Sequence, residues 1–416
     1  MTISTDTTAA DFDELFALDA EHGMQTYARL PVAFVRGEGT VLWDSTGRRY
    51  LDFLGGLAVT SLGHAHPTVA DAVADQARTL LHVSNLYHNA LQPRLAARID
   101  ALLGGGGRVF FANSGAEANE CAIKLARRYG QSNGGPARYE IVTALGSFHG
   151  RTLATLAATG QPQKHEPFQP LSPGFRHVPF GDVDLLAAAL DERCCAVLVE
   201  SIQGEGGVNP APPGYLEAVR AICDEREALL LVDEVQTGLG RTGRWFGFEH
   251  AGISPDVVTL AKALGNGVPI GACWARSEVA EAFRPGDHAS TFGGQPLAAR
   301  AALTVLDVME AEDVAARAAR AGAHLSARLA ALPQVASVRG PGLLVAAELV
   351  PGLDAAEVAR ACLDAGLVVN AVTPTALRFA PSLLVSDAEI DEAVDVLIGV
   401  LADDHAGRAG GKGEQA

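Results

Sequence analysis

Lysine is scarce in this sequence: the 416 residues contain only Lys124, Lys164, Lys262 and Lys412. Positive charge is short as a whole, with 32 Lys and Arg against 49 Asp and Glu, for a formal net charge of -17. General nucleic-acid binding needs a basic surface, so that class is excluded. An anionic ligand is still possible where local arginines or helix N-termini receive it. Long hydrophobic runs are also missing. No apolar stretch reaches the ~18–20 residues that cross a bilayer. The N-terminus, MTISTDTTAADFDELF, is acidic and lacks the basic-then-apolar order of a secretory signal. The six cysteines contain no C-x-x-C pair, and Cys194 and Cys195 are adjacent, which suits neither a zinc site nor a disulfide. They are expected to be small core residues in a reducing compartment, with no metal site and a cytoplasmic location.

What is present reads as a globular α/β protein. A hydrophobic fraction of 48% with 19% charged residues is too apolar for a disordered chain. Strand-length apolar runs occur at 108–113, 139–145, 195–201, 228–235, 257–262 and 270–275. Most are continuous rather than alternating, which implies burial on both faces, as in a mainly parallel sheet. Helical patterns lie between several of them. The clearest starts after Ser114, repeats Ala118, Cys121, Ala122, Leu125, Ala126 and Tyr129 at helical spacing, and is expected to stop at Gly130. PPGYLEAVRAICDERE opens a second helix.

A large domain is therefore expected over 60–305. The segment 1–59 has strand-like runs broken by Gly turns and supplies a small antiparallel piece. Residues 306–404 complete a smaller α+β domain, with strands at GLLVAAELV and LRFAP. A long Ala-rich helical stretch runs from 296 to about 331, and further helices lie near 354–365 and 387–402. The tail, 405–416, lacks apolar content and is read as disordered. There are no internal repeats.

Three short stretches carry chemistry. FFANSGAEANE runs from a strand through Asn113-Ser114-Gly115-Ala116 into a helix. Small residues there let N–H groups approach a phosphate, although an ordinary Ser cap with Glu117 in a capping box explains the pattern equally. Neither G-x-x-x-x-G-K-[ST] nor G-x-G-x-x-G is present, so a nucleotide is not indicated. LLLVDEVQTGLGRTG puts Asp233 and Glu234 at the end of a buried strand, where ligand sites of parallel sheets lie. VVTLAKALGNGVPIGA ends a strand on Lys262. Loss of water there lowers an amine's pKa and makes it a nucleophile able to form a Schiff base. Together they suit pyridoxal 5'-phosphate: phosphate on Ser114–Ala116, aldehyde on Lys262, ring nitrogen on Asp233, and Phe148 of GSFHGRT stacked on the ring.

FFANSGAEANECAIKLAR, SFHGRT, ESIQGEGGV, LLLVDEVQTGLGRTG, LAKALGNGVPIGA and STFGGQPLAA resemble the class-III aminotransferases in order and spacing, from about residue 27 to 400. YARLPVAFVRGEG, SLGHAHP, HVSNLYH and TGQPQKHEPFQPL look most like the branch that transaminates N2-acetylornithine in arginine biosynthesis. The resemblance implies a fold-type-I pyridoxal-phosphate enzyme, a homodimer with its sites at the subunit interface. It implies that Gly115 and Ala116 bind the cofactor phosphate, Phe148 stacks on the ring, Asp233 pairs with the ring nitrogen and Gln236 bonds the 3-oxygen. Lys262 carries the Schiff base. Thr291 reaches the phosphate from the partner subunit, with Ser290 near substrate. Ser201, Asn266 and Gln295 depart from the family's usual Pro, Gly and Asn.

A substrate pair that includes glutamate and 2-oxoglutarate calls for two fixed cations, for which Arg151 and Arg378 are the candidates. By resemblance, Arg151 takes the α-carboxylate of the amine donor, and Glu205 masks Arg378 until glutamate arrives. Ornithine, succinylornithine or 4-aminobutyrate transamination is the near alternative, with Tyr27 at the position of a substrate-contacting tyrosine in ornithine aminotransferases. An aminomutase on the same fold is a second alternative. A noncatalytic metabolite-binding protein is the alternative of a different class.

Overall fold

The computed structural model describes residues 12–410, with side chains described through 402. Near the start, β1 (Phe34–Glu38), β2 (Val41–Asp44) and β3 (Arg49–Asp52) form an antiparallel meander. The central sheet follows with β4 (Gly107–Ala112), β5 (Glu140–Ala144), β6 (Phe175–Val178), β7 (Cys194–Glu200), β8 (Leu229–Asp233), β9 (Val257–Leu260) and β10 (Gly271–Arg276). Its seven strands lie in the order β4-β10-β9-β8-β7-β5-β6. Only β10 runs against its two neighbours. The carboxyl ends of β4, β5, β7, β8 and β9 therefore open on one edge of the sheet.

Continuous apolar runs form these strands because helices cover both faces. In β7 and β8, Val197, Val199, Leu230 and Val232 enter one core cluster. Their alternates, Ala196, Leu198, Leu229 and Leu231, enter the cluster on the opposite face. The principal covering helix is α1 (Gly115–Gly134), and α2 (Tyr215–Glu225) packs near β8 and β7. The chain then passes through α3 (Pro296–Ala311) and α4 (Val314–Ala330). It continues into β11 (Val335–Arg339), β12 (Val345–Leu349), α5 (Ala355–Asp364), β13 (Leu367–Val368), β14 (Asn370–Thr373), β15 (Ala376–Phe379) and α6 (Asp387–Gly410). β13 pairs in parallel with β3, so N- and C-terminal segments share one sheet. All six cysteines are buried free thiols.

Four details differ from the sequence reading. Gly130 does not stop α1, which continues to Gly134 and is capped by Gly135 at φ 83°. Gly130 is instead a contact point: a Cβ there would lie 2.4 Å from Cys195 Cβ and 2.6 Å from the Arg138 carbonyl. The Ala-rich stretch from 296 is two helices, because Asp313 takes a left-handed φ of 46° and turns the chain. β6, with sequence FRHV, escaped notice because an edge strand is only half covered and its pattern is short. α6 runs through Gly410, so residues 405–410 of the tail read as disordered are helical. The remainder of that reading, 411–416, lies outside the described residues.

Candidate active site

A cavity of about 390 Å³ lies at the carboxyl edge of the central sheet. Ser114, Gly115, Ala116, Phe148, Arg151, Glu205, Asp233, Gln236 and Lys262 all line it.

The turn after β4 supplies its first wall. Ser114 is extended, and its Oγ accepts the Glu117 N–H at 3.2 Å. The Glu117 carboxylate reaches back past Ser114 to the Asn113 N–H at 2.8 Å and the Asn113 amide at 2.7 Å. This resembles a capping box displaced by one residue. It leaves the N–H groups of Gly115 and Ala116 with no acceptor among the described residues, at the positive end of a helix of 20 residues. Gly115 must be glycine here, because a Cβ would come within 2.7 Å of Val235 Cγ1.

Asp233 and Glu234, adjacent at the end of β8, face different surroundings. Asp233 Oδ2 accepts from Asn119 Nδ2 at 2.7 Å and from His149 Nδ1 at 2.9 Å, while Oδ1 accepts the Val235 N–H at 3.0 Å. Asn119 is fixed in turn by the Thr259 hydroxyl at 2.7 Å and by donating to the His149 carbonyl at 2.8 Å. Glu234 turns away from the cavity and accepts from the Gly247 and Phe248 N–H groups and the Thr237 hydroxyl. The Ser201 hydroxyl donates to it at 3.4 Å, which gives this departure from the family pattern a structural partner. Burial pushes the Glu234 carboxyl up to about 7 despite those donors. A third carboxylate, Glu200, lies directly across from Asp233 in the parallel register. Among the described residues it accepts only the Phe148 N–H, at 3.1 Å. Burial first, and the neighbouring Asp233 second, hold it well above the usual carboxylate range.

Lys262 follows β9 in a left-handed conformation, φ 43°, and starts a 3-10 turn. A β-region lysine would continue the strand direction, whereas this backbone turns the side chain into the cavity mouth. Its Nζ has no hydrogen-bond or ion-pair partner among the described residues. Burial holds the amine below its ordinary pKa, and the Arg378 charge lowers it further against opposition from Glu205, Asp233 and Glu200. Phe148 is half-buried beside it, with the Arg151 guanidinium 5.6 Å from its ring centre.

Arg378 is almost wholly buried on β15 and pairs with Glu205 at 2.5 Å. Its Nε donates to Asn370 at 3.1 Å, and Gln236 bridges the pair, donating to Glu205 at 3.2 Å and accepting from Arg378 at 3.4 Å. Burial alone would raise the Glu205 carboxyl, but Arg378, Lys262 and Gln236 bring it below its usual value. Arg151 is exposed and has no acidic partner among the described residues.

Four sequence-predicted residues do not line this cavity: Arg378, which touches its wall through Glu205 and Gln236, and Ser290, Thr291 and Tyr27. Ser290 and Thr291 line a second cavity with Leu86, Phe110 and His288. Ser290 Oγ accepts from Gly293 N at 3.0 Å and from Asn113 Nδ2 at 3.2 Å, which ties its loop to the turn beside the cradle. Tyr27 is 71% exposed, with Arg29 over its ring. Conversely, Asn119, His149 and Glu200 line the cavity without having been singled out in sequence. SFHGRT and ESIQGEGGV contain two of them, but nothing local marks a buried histidine or glutamate as facing Asp233.

The other departures are explained locally. Gln295 caps α3, accepting the Leu297 N–H at 3.1 Å. Asn266 occupies a left-handed site, φ 47°, that asparagine tolerates. Its side chain accepts the Leu62 N–H at 2.8 Å and donates to the Gly63 carbonyl at 3.0 Å. Asn266→Gly keeps the backbone and loses both bonds, whereas Asn266→Ala loses them and adds left-handed strain. Urea unfolding is expected to rank wild type above Gly above Ala, with Ala about 2–3 kcal/mol less stable.

The cavity's polar groups fit pyridoxal 5'-phosphate: N–H donors without acceptors for phosphate, an unpartnered amine for an aldehyde and a strand-end carboxylate for a ring nitrogen. Residues 23–401 match the aminotransferase class-III family model. The chain is 53% identical over 387 residues to the acetylornithine aminotransferase of Gloeobacter violaceus, covering 92% of this chain and 96% of that one. It is 49% identical over 393 residues to that of Caldanaerobacter subterraneus subsp. tengcongensis, covering 94% and 99%. Among solved structures, the ornithine aminotransferase of Toxoplasma gondii superposes with a TM-score of 0.91 at 34% identity, covering 95% and 96%. The N-acetylornithine aminotransferase of Stenotrophomonas maltophilia gives 0.82 at 37%, covering 94% and 100%. With a strand-end lysine, a helix-end cradle and relatives alike over nearly their whole length, the chain belongs to the class-III aminotransferases, a family of pyridoxal-phosphate-dependent enzymes.

Proposed function

We propose that the protein transfers the δ-amino group of N2-acetyl-L-ornithine to 2-oxoglutarate, giving N-acetyl-L-glutamate 5-semialdehyde and L-glutamate, with pyridoxal 5'-phosphate as cofactor. The observation that carries this reading is the masked cation. Glu205 neutralises the buried Arg378, while Arg151 has no acidic partner among the described residues. A donor with one carboxylate uses Arg151 and leaves Arg378 covered. A dicarboxylate needs both, and draws Arg378 away from Glu205. The names of the relatives supply the donor.

In this reading the Gly115 and Ala116 N–H groups hold the cofactor phosphate, and Phe148 covers the ring. Gln236 would serve the ring 3-oxygen, and Asp233 would favour a protonated ring nitrogen. Bound there, the cofactor supplies an aldehyde that accepts the amino group and a ring that takes up electron density from the broken C–H bond. Lys262 Nζ would hold the cofactor between turnovers and, once freed, would move the proton that leaves substrate Cδ, as base and then as acid. We further propose a cytoplasmic homodimer in which Ser290 and Thr291 serve the site of the other subunit. Exposed Leu86, Tyr87 and Phe292 beside the second cavity favour a covered face.

Stopped-flow spectra with acetylornithine, ornithine, succinylornithine and 4-aminobutyrate test the donor. Acetylornithine is expected to give the highest kcat/KM, and a preference for free ornithine would overturn the reading. Glu205→Gln is expected to slow the acetylornithine half-reaction about tenfold more than the glutamate half-reaction, because the first leaves Arg378 bare. Equal losses would remove the masking role.

A further inference from the structure

A second cation lies on the segment that adjoins the Arg151 loop. Lys164 lies in the short helix Pro162–His165, half-buried, and forms no ion pair among the described residues. Its Nζ donates to Gln161 Oε1, and Gln161 in turn donates to the Ser147 carbonyl at 3.1 Å and the Gly146 carbonyl at 3.5 Å. The Gly146 N–H is bonded to the Gly160 carbonyl at 2.7 Å. The Lys164 segment is thus stitched to the loop that carries Phe148 and Arg151. The same loop packs on the Glu205 loop: Gln203 Nε2 donates to the Leu145 carbonyl at 2.9 Å, and a Cβ on Gly206 would lie 2.5 Å from the Gly146 carbonyl.

Building on the acetylornithine reading, we propose that Lys164 is a specificity-determining residue that joins Arg151 in binding the α-carboxylate of the amine donor. Two like charges on adjoining segments, with no acid paired to either among the described residues, repel each other and together attract an anion. Glu205 cannot serve both purposes, because it is engaged by Arg378 and Gln236. The scarcity of lysine adds weight: Lys124 is bound to the Asp287 carbonyl and His288, and Lys262 holds the strand end. Independently of that geometry, burial and then the Arg151 charge hold the Lys164 amine below its ordinary pKa, with Glu205 opposing. An incoming carboxylate would relieve that cost.

N-acetylputrescine is acetylornithine without its α-carboxylate and provides the control. In holoenzyme, Lys164→Gln is expected to lower the ratio of kcat/KM for acetylornithine over N-acetylputrescine about tenfold, mostly through KM. Lys164→Arg should restore most of the ratio. Binding of the unreactive N2-acetyl-L-norvaline, measured by calorimetry, should weaken by a similar factor in Lys164→Gln, independently of turnover. A ratio unchanged in Lys164→Gln, or equal losses on both amines, would overturn the proposal. If wild type fails to use acetylornithine but uses another α-carboxylated amine, the donor assignment falls. The Lys164 proposal is then judged by the same ratio taken with that amine and its decarboxylated form.

Discussion

Lys262→Ala is expected to lower kcat by about four orders of magnitude or more while leaving the fold and the cavity walls in place. Nothing else near the strand end can take over. Arg151 and Arg378 are guanidinium groups, which are poor bases, burial pushes the Glu200 carboxyl well above the usual carboxylate range, and Lys164 sits on a different segment. The lysine is suited to the task because burial lowers its pKa and no neighbour among the described residues ties up its Nζ. An exposed lysine would be almost entirely protonated at pH 7 and useless as a base. The variant should still bind the cofactor noncovalently, since the Gly115 and Ala116 N–H groups and Asp233 are untouched. Added methylamine should restore part of the rate by occupying the space of the deleted side chain. Steady-state assay with and without methylamine, and borohydride reduction followed by peptide mapping of the wild type, check this. Near-normal turnover by the variant, or label on another residue, would remove Lys262 from its role.

Legibility in the sequence followed burial. β7, β8 and β9 are covered on both faces, so their apolar runs are continuous and their limits are visible within one or two residues. The edge strand β6 is half exposed and gave no such run. Gly130 misled because composition cannot separate a helix-ending glycine from one that lets a helix touch a strand; only the contact with Cys195 does so. In the site, Ser114–Ala116, Asp233 and Lys262 were legible because each follows a strand directly, and strand ends are where an α/β sheet exposes polar groups. Asn119 and His149 were not, because each meets Asp233 only through the fold, 114 and 84 residues away in the chain. The Glu205–Arg378 pair spans 173 residues and belongs to no local pattern; only the resemblance pointed to it.

Asp233→Asn should be the second most damaging change, lowering kcat by roughly a thousandfold, on the scale of removing one preorganised electrostatic group. Three donors set this cost. Asn119 and His149 both direct N–H groups at Oδ2, and Val235 directs one at Oδ1. A carboxylate satisfies all three and keeps a lone pair for a protonated ring nitrogen. An amide has one oxygen, so whichever way it turns, its NH2 faces an N–H donor, and the negative charge is gone. That loss also removes one of the causes that raise the Glu200 carboxyl, one strand away, and leaves burial, the largest, in place. Asn119→Ala and His149→Phe keep the Asp233 charge but loosen its aim, and should cost much less than Asp233→Asn itself. Stopped-flow half-reactions on the three variants, read beside their melting temperatures, test the order. If Asp233→Asn proves no slower than Asn119→Ala, charge at the strand end is not what the ring nitrogen requires, and orientation alone would explain the network.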